Sequence, residues 1–384
     1  MSENSPDSAA PRKQVLFLFP LMYRPQKDNV ASFFILLSRW YYGNIFALSG
    51  GRQRNVPVGD FLFHSSKQGN STVGRFFSGL WIQVAVPLRL LWRRSSVAVV
   101  VSYDPYRSGL AALMLKYLLR SKMIVEINGD YHRVEPEEKS VLKQALMKFV
   151  FNLTLRGADA IKVLNADQEA FCRGHMLSGT IFRVPPFVAT EFFQSLETVQ
   201  GDFLLSVGYP FDLKGMDLLI EAFKLIEEKH PRTNLRIMGY CSQKDMVKYR
   251  ALTAGHIRIS FVEPGWIEEV GEQMRCCYAL VNAGHTEAFG RVHIEAMACG
   301  KPIVATRTNG ALECIKDGET GLLCAVGDVE DLAMKLDELL SNPERASQMG
   351  RAGKTRMQEL FSEKVITAKF QGLLQEVIGC EHAP

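Results

Sequence analysis

The sequence predicts an α/β protein of two consecutive Rossmann-like domains facing a cleft, and three observations carry that prediction. Short apolar runs alternate with helix-length amphipathic stretches along most of the chain. A proline-containing polar stretch breaks the alternation near the middle, after which it restarts. The strand candidates are almost continuously apolar, as parallel strands covered on both faces require. At 384 residues the chain is also long for one core, so two domains of comparable size are expected.

Residues 1–13, MSENSPDSAAPRK, read as a polar, disordered tail. The run VLFLFPLMY follows a basic pair, which raises a signal peptide as a possibility. The run is short, lacks a small-residue cleavage site and soon meets Arg24, so a buried first strand at 15–19 is the better reading. Further strands are expected at 97–102, 123–127 and 160–164, with helices over Ser108 to Leu119 and Val141 to Leu155. These make a first domain of residues 14–190. Pro185 and Pro186 punctuate the linker RVPPFVATEFFQSLETVQGD. A second domain, 191–360, opens on FLLSVG at Phe203 and continues with strands at 235–239, 257–262, 279–283, 302–306 and 321–324. From Asp328 the chain reads as helical, and its last helix, within 361–384, is expected to pack back on the first domain.

Composition excludes several classes. A 47% hydrophobic, 22% charged chain of net charge +4 is globular, without the basic stripe and interleaved aromatics of nucleic-acid binders. Eight cysteines lie between Cys172 and Cys380 without a C-x-x-C pair, so they read as reduced core thiols of a cytosolic protein. The sequons at Asn70 and Asn152 are then chance matches. The segment Phe76 to Ser96 carries Trp81, Trp92, Arg89, Arg93 and Arg94. It reads first as a helix packed on a sheet and second as a peripheral contact with anionic lipid on the inner face of the membrane.

The residues suited to chemistry lie at two strand-to-helix transitions of the second domain. After FLLSVG comes the turn YPFDLKG and the helix MDLLIEAFKLIEE, in which Leu218, Leu219, Ala222, Phe223 and Ile226 keep helical spacing. Lys214 therefore stands at the C-terminal edge of a parallel strand, where open α/β sheets bind ligands. Glu287 and Glu295 bracket EAFGRVHIE, between the strand YALVNA and a helix closed by Gly300. One carboxylate sits at the helix mouth and the other about two turns in. A helix N-terminus holds a diphosphate, and carboxylates accept sugar and ribose hydroxyls. The bland readings are a solvated lysine, a carboxylate facing the helix dipole and a solvated helix face. Convergence of all three on one edge argues against them.

From about Phe203 to Leu332 the chain resembles the retaining glycosyltransferases of family 4, which have the GT-B fold. The resemblance rests on SVGYPFDLKGMDLLIEAF and on EAFGRVHIEAMACGKPIVATRTNGALECIKDGETGLL. It implies that Glu295 holds the ribose of a sugar nucleotide and that Glu287, Ala288, Phe289 and Gly290 hold the donor sugar and phosphate. Gly208 and Tyr209 would lie at the donor diphosphate, and Lys214 would stabilise the departing nucleoside diphosphate. The family needs no metal or other cofactor, and this chain contains no D-x-D triplet. In the first half, VEINGDYHR resembles the family's strand that ends in histidine and Gly-Asp. Asn128 stands in the histidine place, while Gly129 and Asp130 match, so Asn128 and Asp130 join the candidate catalytic residues.

Three departures stand out. Tyr209 replaces the usual arginine and removes one diphosphate contact. Asn128 has no imidazole, though its amide can bond to a sugar hydroxyl, and His132 is a weak substitute. The first loop, FPLMYRPQKDNVASFF, lacks the usual glycine pair. The reading that results is a metal-independent, retaining transfer of a sugar from a nucleoside diphosphate sugar to a carbohydrate or lipid-linked acceptor, in polysaccharide or glycolipid synthesis. Two rivals share the architecture: a sugar-nucleotide epimerase and an inactive binding protein.

Overall fold

The structure, a computed structural model, describes residues 12–22, 31–49, 56–67, 79, 81–91, 96–131, 141–175, 179–193, 201–263 and 267–379. The chain forms two compact units, Met1–Val184 with Thr367–Pro384, and Pro185–Ile366. The division falls after Val184, a little before the expected boundary at residue 190.

The N-terminal unit is built on an eight-stranded sheet. Its strands are β1 (Lys13–Met22), β2 (Tyr41–Ser49), β3 (Val56–Val58), β4 (Phe61–Lys67), β5 (Val97–Ser102), β6 (Lys122–Glu126), β7 (Ala160–Val163) and β8 (Thr180–Arg183). Their order is β3-β4-β2-β1-β5-β6-β7-β8. All neighbours are parallel except β3 and β4. The described helices before the second unit are α1 (Ala31–Leu37), α2 (Val86–Leu91), α3 (Arg107–Leu119), α4 (Val141–Gly157) and α5 (Ala166–Arg173). Leu16, Leu18, Val100, Leu115, Val125 and Ile161 meet in a core between sheet and helices.

Sequence pattern alone misses β2, β3, β4 and β8, for physical reasons. β2 contains Gly43 and Asn44, β4 turns polar after Phe63, and β3 and β8 are edge strands. An edge strand need not be continuously apolar.

The segment 76–96 folds into this unit where it is described. A π-helical turn, Trp81–Ala85, buries Ile82, Gln83 and Val84 and runs into α2. Gln83 donates to the Phe19 carbonyl at 3.0 Å. Trp81 and Arg89 are exposed. Trp92, Arg93 and Arg94 lie outside the described residues, as do His132, Asn70, Cys380 and the middle half of the first loop.

The C-terminal unit has a six-stranded, all-parallel sheet: β9 (Phe203–Val207), β10 (Asn234–Met238), β11 (Ile259–Val262), β12 (Ala279–Asn282), β13 (Ile303–Thr306) and β14 (Leu322–Cys324). Its helices are α6 (Met216–Ile226), α7 (Gln243–Leu252), α8 (Ile267–Cys276), α9 (Arg291–Ala298), α10 (Asn309–Cys314), α11 (Val329–Ser341) and α12 (Pro343–Leu360). α6 shows why these sequences become helices. Met216, Leu219, Ile220 and Phe223 recur on one face, and that face is the buried one. The last helix, α13 (Glu363–Gly379), begins in this unit and ends in the other. There Phe370 stacks on Phe17 at 6.1 Å and meets Phe33 edge-on at 5.1 Å.

Strand order β11-β10-β9-β12-β13-β14 reverses direction between β9 and β12. The N-terminal sheet reverses between β1 and β5. Loops leaving the two strands at such a switch point diverge to opposite faces and leave a crevice at the carboxyl edge. That crevice positions the chemistry.

The described cysteines form no disulfide. Burial pushes the thiols of Cys172, Cys277, Cys299 and Cys324 up to about 12, so they stay protonated and inert.

Candidate active site

The loop after β9 and the loop after β12 meet at the switch point of the C-terminal sheet. Lys214 folds back so that its aliphatic stem lies over Gly208, where a Cβ atom would stand 2.8 Å from the lysine Cγ. Lys214 N–H donates to the Pro210 carbonyl at 3.0 Å, and Phe211 is buried beneath the turn. Gly215 then opens α6 with φ of +61°. A side chain at Gly215 would sit 2.1 Å from the Ala283 carbonyl oxygen. Glycine thus lets the Lys214 loop press against the end of β12. His285 N–H completes the seam by donating to the Leu213 carbonyl at 3.1 Å.

Across this seam Lys214 Nζ reaches Glu287 Oε2 at 2.5 Å. Both side chains are mostly buried, at 20% and 16% exposure, so water screens the pair little. Glu287 is held from behind, its carbonyl accepting from Gly310 N–H at 2.8 Å. Phe289 is buried and packs edge-on against Phe361. Gly290, with φ of +81°, opens α9 and gives its N-terminus no side-chain cap. A helix mouth without a side-chain cap suits an anion, although His293 N–H already donates to the Gly290 carbonyl at 2.9 Å.

Glu295 lies one turn further along α9, half-buried, with no hydrogen bond or ion pair to its carboxylate among the described residues. Burial raises its pKa above the usual carboxylate range, and Arg291 offsets part of that rise. A half-buried carboxylate without donors is a ready acceptor for hydroxyl groups. Tyr209 is 65% exposed at the same edge.

Sequence pattern misses two residues here. Gly284 N–H donates to Asn282 Oδ1 at 3.2 Å, which turns the Asn282 amide nitrogen towards His293 Nε2 at 2.9 Å. An amide nitrogen can only donate, so Nε2 is the acceptor and the imidazole hydrogen sits on Nδ1. His293 is fully buried against Gly290, and burial pushes its pKa down to about 4. Nearby Glu287 opposes that shift and Lys214 adds to it. An unfolded histidine titrates near 6.5, so the folded chain binds fewer protons between those values. The stability that follows is complete above the unfolded value and is lost as pH falls towards the folded one, roughly 3 kcal/mol in all. Nitrogen-15 NMR of the imidazole is expected to show a neutral ring protonated at Nδ1 from neutrality down to about pH 5. Asn282→Asp is expected to move the proton to Nε2. Titration near the unperturbed value in the native protein would contradict this assignment. The one signal in the sequence is a polar residue inside each of two apolar stretches, VNA and VHI.

In the N-terminal unit, Asn128 and Asp130 follow β6 beside that sheet's own switch point. Asn128 Nδ2 donates to the Tyr103 carbonyl and to Glu126 Oε2, both at 3.0 Å, so both amide hydrogens are engaged. A sugar hydroxyl would meet the Asn128 carbonyl oxygen rather than its N–H. Glu126 also pairs with Lys162 at 2.9 Å, an almost fully buried ion pair within the strands. The sequence shows it only as one charge inside each of the runs MIVEI and AIKVL. Asp130 is buried, and Gln168 Nε2 donates to its Oδ1 and to the Gly129 carbonyl, both at 3.3 Å.

Comparison with known proteins places this geometry. The model of the family described as glycosyl transferases group 1 matches residues 188–356, which contain the whole Lys214–Glu287–Glu295 arrangement. Residues 188–356 belong to the glycosyl transferases group 1 family. The chain is accordingly a glycosyltransferase, an enzyme that transfers sugars. It is 28% identical to an uncharacterised glycosyltransferase of Methanocaldococcus jannaschii over 270 residues, covering 65% of this chain and 75% of that one. Other curated relatives are matched over half of their length or less. Sucrose-phosphate synthase from Thermosynechococcus elongatus superposes with a TM-score of 0.80 at 18% identity, over 96% of this chain and 100% of that one. Anabaena HepE, solved in complex with UDP and glucose, gives 0.71 at 16% identity over 95% and 100%. At such identities these neighbours speak for the fold, and the glycosyltransferase has the GT-B fold of two Rossmann-like units.

Proposed function

We propose that this glycosyltransferase moves a sugar from a nucleoside diphosphate sugar to an acceptor hydroxyl with retention of anomeric configuration and without a metal, as family 4 enzymes do. The observation that carries the reading is the Lys214–Glu287 pair under the uncapped start of α9. In this reading the donor diphosphate takes its place at the helix mouth and shares the Lys214 ammonium with Glu287. Glu287 turns its second oxygen to a sugar hydroxyl, and Glu295 accepts from the ribose. The bond from the anomeric carbon to the phosphate oxygen breaks, and the charge growing on that oxygen is met by Lys214 and the α9 N–H groups. The acceptor oxygen bonds to the same face of the anomeric carbon, and its proton passes to the departing phosphate. Positive charge from lysine and helix mouths takes the place that a divalent ion holds in metal-dependent transferases.

The complex of HepE with UDP and glucose supports a nucleotide sugar as donor here. Asn128 and Asp130 would serve the acceptor, a carbohydrate or lipid-linked sugar of polysaccharide or glycolipid synthesis. Thermal-shift screening against UDP-, GDP- and ADP-sugars tests the donor, since a bound ligand raises apparent stability by mass action. NMR of the product bond then reads the anomeric configuration. No shift with any donor, or an inverted product, would overturn the proposal. Isomerised donor in place of product would identify an epimerase.

The raised pKa of Glu295 gives this reading a pH signature. Only the ionised carboxylate accepts hydroxyl hydrogen bonds fully, so nucleotide affinity is expected to weaken as pH falls from neutrality through that value, above the ordinary glutamate range. Glu295→Gln is expected to cost about tenfold in affinity and to flatten this acid limb. An unchanged limb in the variant would remove Glu295 from donor binding.

A further inference from the structure

α4 turns an apolar stripe to water. Residues 141–149 are all exposed, although Leu142, Leu146 and Phe149 lie among them, at 81%, 57% and 64% exposure. With Leu153, at 39%, they recur every three or four residues and so fall on one face of the helix. The C-terminal turns are anchored: Phe151, Thr154 and Leu155 are buried, and Thr154 Oγ1 donates to the Pro105 carbonyl at 2.6 Å.

Charge completes the pattern. Lys143 and Lys148 fall on opposite sides of the stripe, Arg156 lies in the last turn, and α4 contains no aspartate or glutamate. An apolar stripe flanked on each side by a lysine suits a helix lying in a lipid interface, where lysine stems run along the apolar zone and their ammonium groups reach the headgroups. Lysine is depleted in protein–protein interfaces, which weighs against a protein partner.

We propose that the N-terminal half of α4 docks this glycosyltransferase on an anionic lipid bilayer. The sequence alone pointed for such contact to residues 76–96, whose described part mostly packs inward. No described helix is long and apolar enough to cross a membrane, so the contact is peripheral. α4 connects the parallel neighbours β6 and β7 and therefore runs antiparallel to them. Its exposed half stands at the carboxyl edge of the sheet, the edge that carries Asn128 and Asp130. Docking there would set the proposed acceptor edge beside the lipid surface and favour an acceptor carried on a lipid.

Co-sedimentation of the full chain with phosphatidylcholine vesicles, with and without phosphatidylglycerol, tests the proposal without donor or turnover. Its failure would therefore leave the reading of the sugar-transfer site untouched. Binding is expected only with the anionic lipid and to weaken as salt screens the charges. The pair Leu146→Gln and Phe149→Gln is expected to lower partitioning at least about tenfold, and Lys143→Glu with Lys148→Glu to do the same. Leu118→Gln is the control: it is also exposed, but near the C-terminus of α3 and hence at the opposite edge of the sheet. It should bind as wild type does. All variants alter exposed positions, and their unchanged thermal melts check folding. Absence of binding to anionic vesicles at low salt, or equal binding by the Leu146/Phe149 variant, would overturn the proposal. So would a dimer in light scattering that Phe149→Gln dissolves, because a second copy would then be the occupant.

Discussion

Lys214→Ala is expected to lower kcat by about 100-fold or more, the scale of losing one preorganised charge stabiliser. Free nucleoside diphosphate binds through several groups, so its affinity should fall much less. The lysine is held in place from several sides. Its stem crosses Gly208, its backbone is tied to Pro210, and its ammonium meets Glu287 at 2.5 Å in a mostly buried setting. Removing it also leaves Glu287 buried without its partner, which costs a few kcal/mol of local stability. Lys214→Arg separates the two effects: it keeps the charge but not the geometry, and should recover stability more than turnover. Steady-state kinetics with a thermal melt of each variant decides the matter. Turnover near wild type in Lys214→Ala would remove the lysine from the mechanism.

Gly215→Ala is expected to destabilise the C-terminal unit strongly. Two penalties combine there. A left-handed backbone costs a non-glycine residue about 1–2 kcal/mol. The added Cβ would also stand 2.1 Å from the Ala283 carbonyl oxygen, a backbone atom of a buried strand end that cannot swing aside. The sum is about 3 kcal/mol or more. Relief requires the Lys214 loop to lift from β12, so Lys214 loses Glu287 and activity falls even where the fold survives. Gly255→Ala supplies the contrast: its φ is +84°, but nothing lies within 4 Å of the added methyl. Only the backbone penalty applies there, about 1–2 kcal/mol, with activity intact. Chemical denaturation of both variants measures the difference. Equal losses would mean that the close approach at Gly215 carries no weight.

What the sequence shows and what it hides follow from where each residue gets its meaning. β9 with α6, and β12 with α9, are legible because an apolar run followed by helical spacing is a local pattern. Lys214 and Glu287 both stand at such transitions, so their shared edge is readable without coordinates. The Asn282–His293 hydrogen bond is not, because neither residue type announces a partner and only the fold of the 284–290 loop turns one towards the other. Glu126 and Lys162 hide for the same reason, each a single charge in an apolar strand. α4 teaches a different lesson. Periodicity shows that its apolar residues share a face, yet it cannot say that this face looks outward beyond the end of the sheet.

The Lys214–Glu287 pair spans 73 positions of sequence. Strands β9 to β11 form one half of the C-terminal sheet and β12 to β14 the other, joined at a single strand pairing. Neither half alone contains the site, so during folding it comes into being only when that last, non-local pairing closes. Ligand affinity thereby becomes a measure of a finished sheet. A nucleotide held by Lys214 on one side and the α9 mouth on the other would act as a clasp across the line where the unit would most readily part.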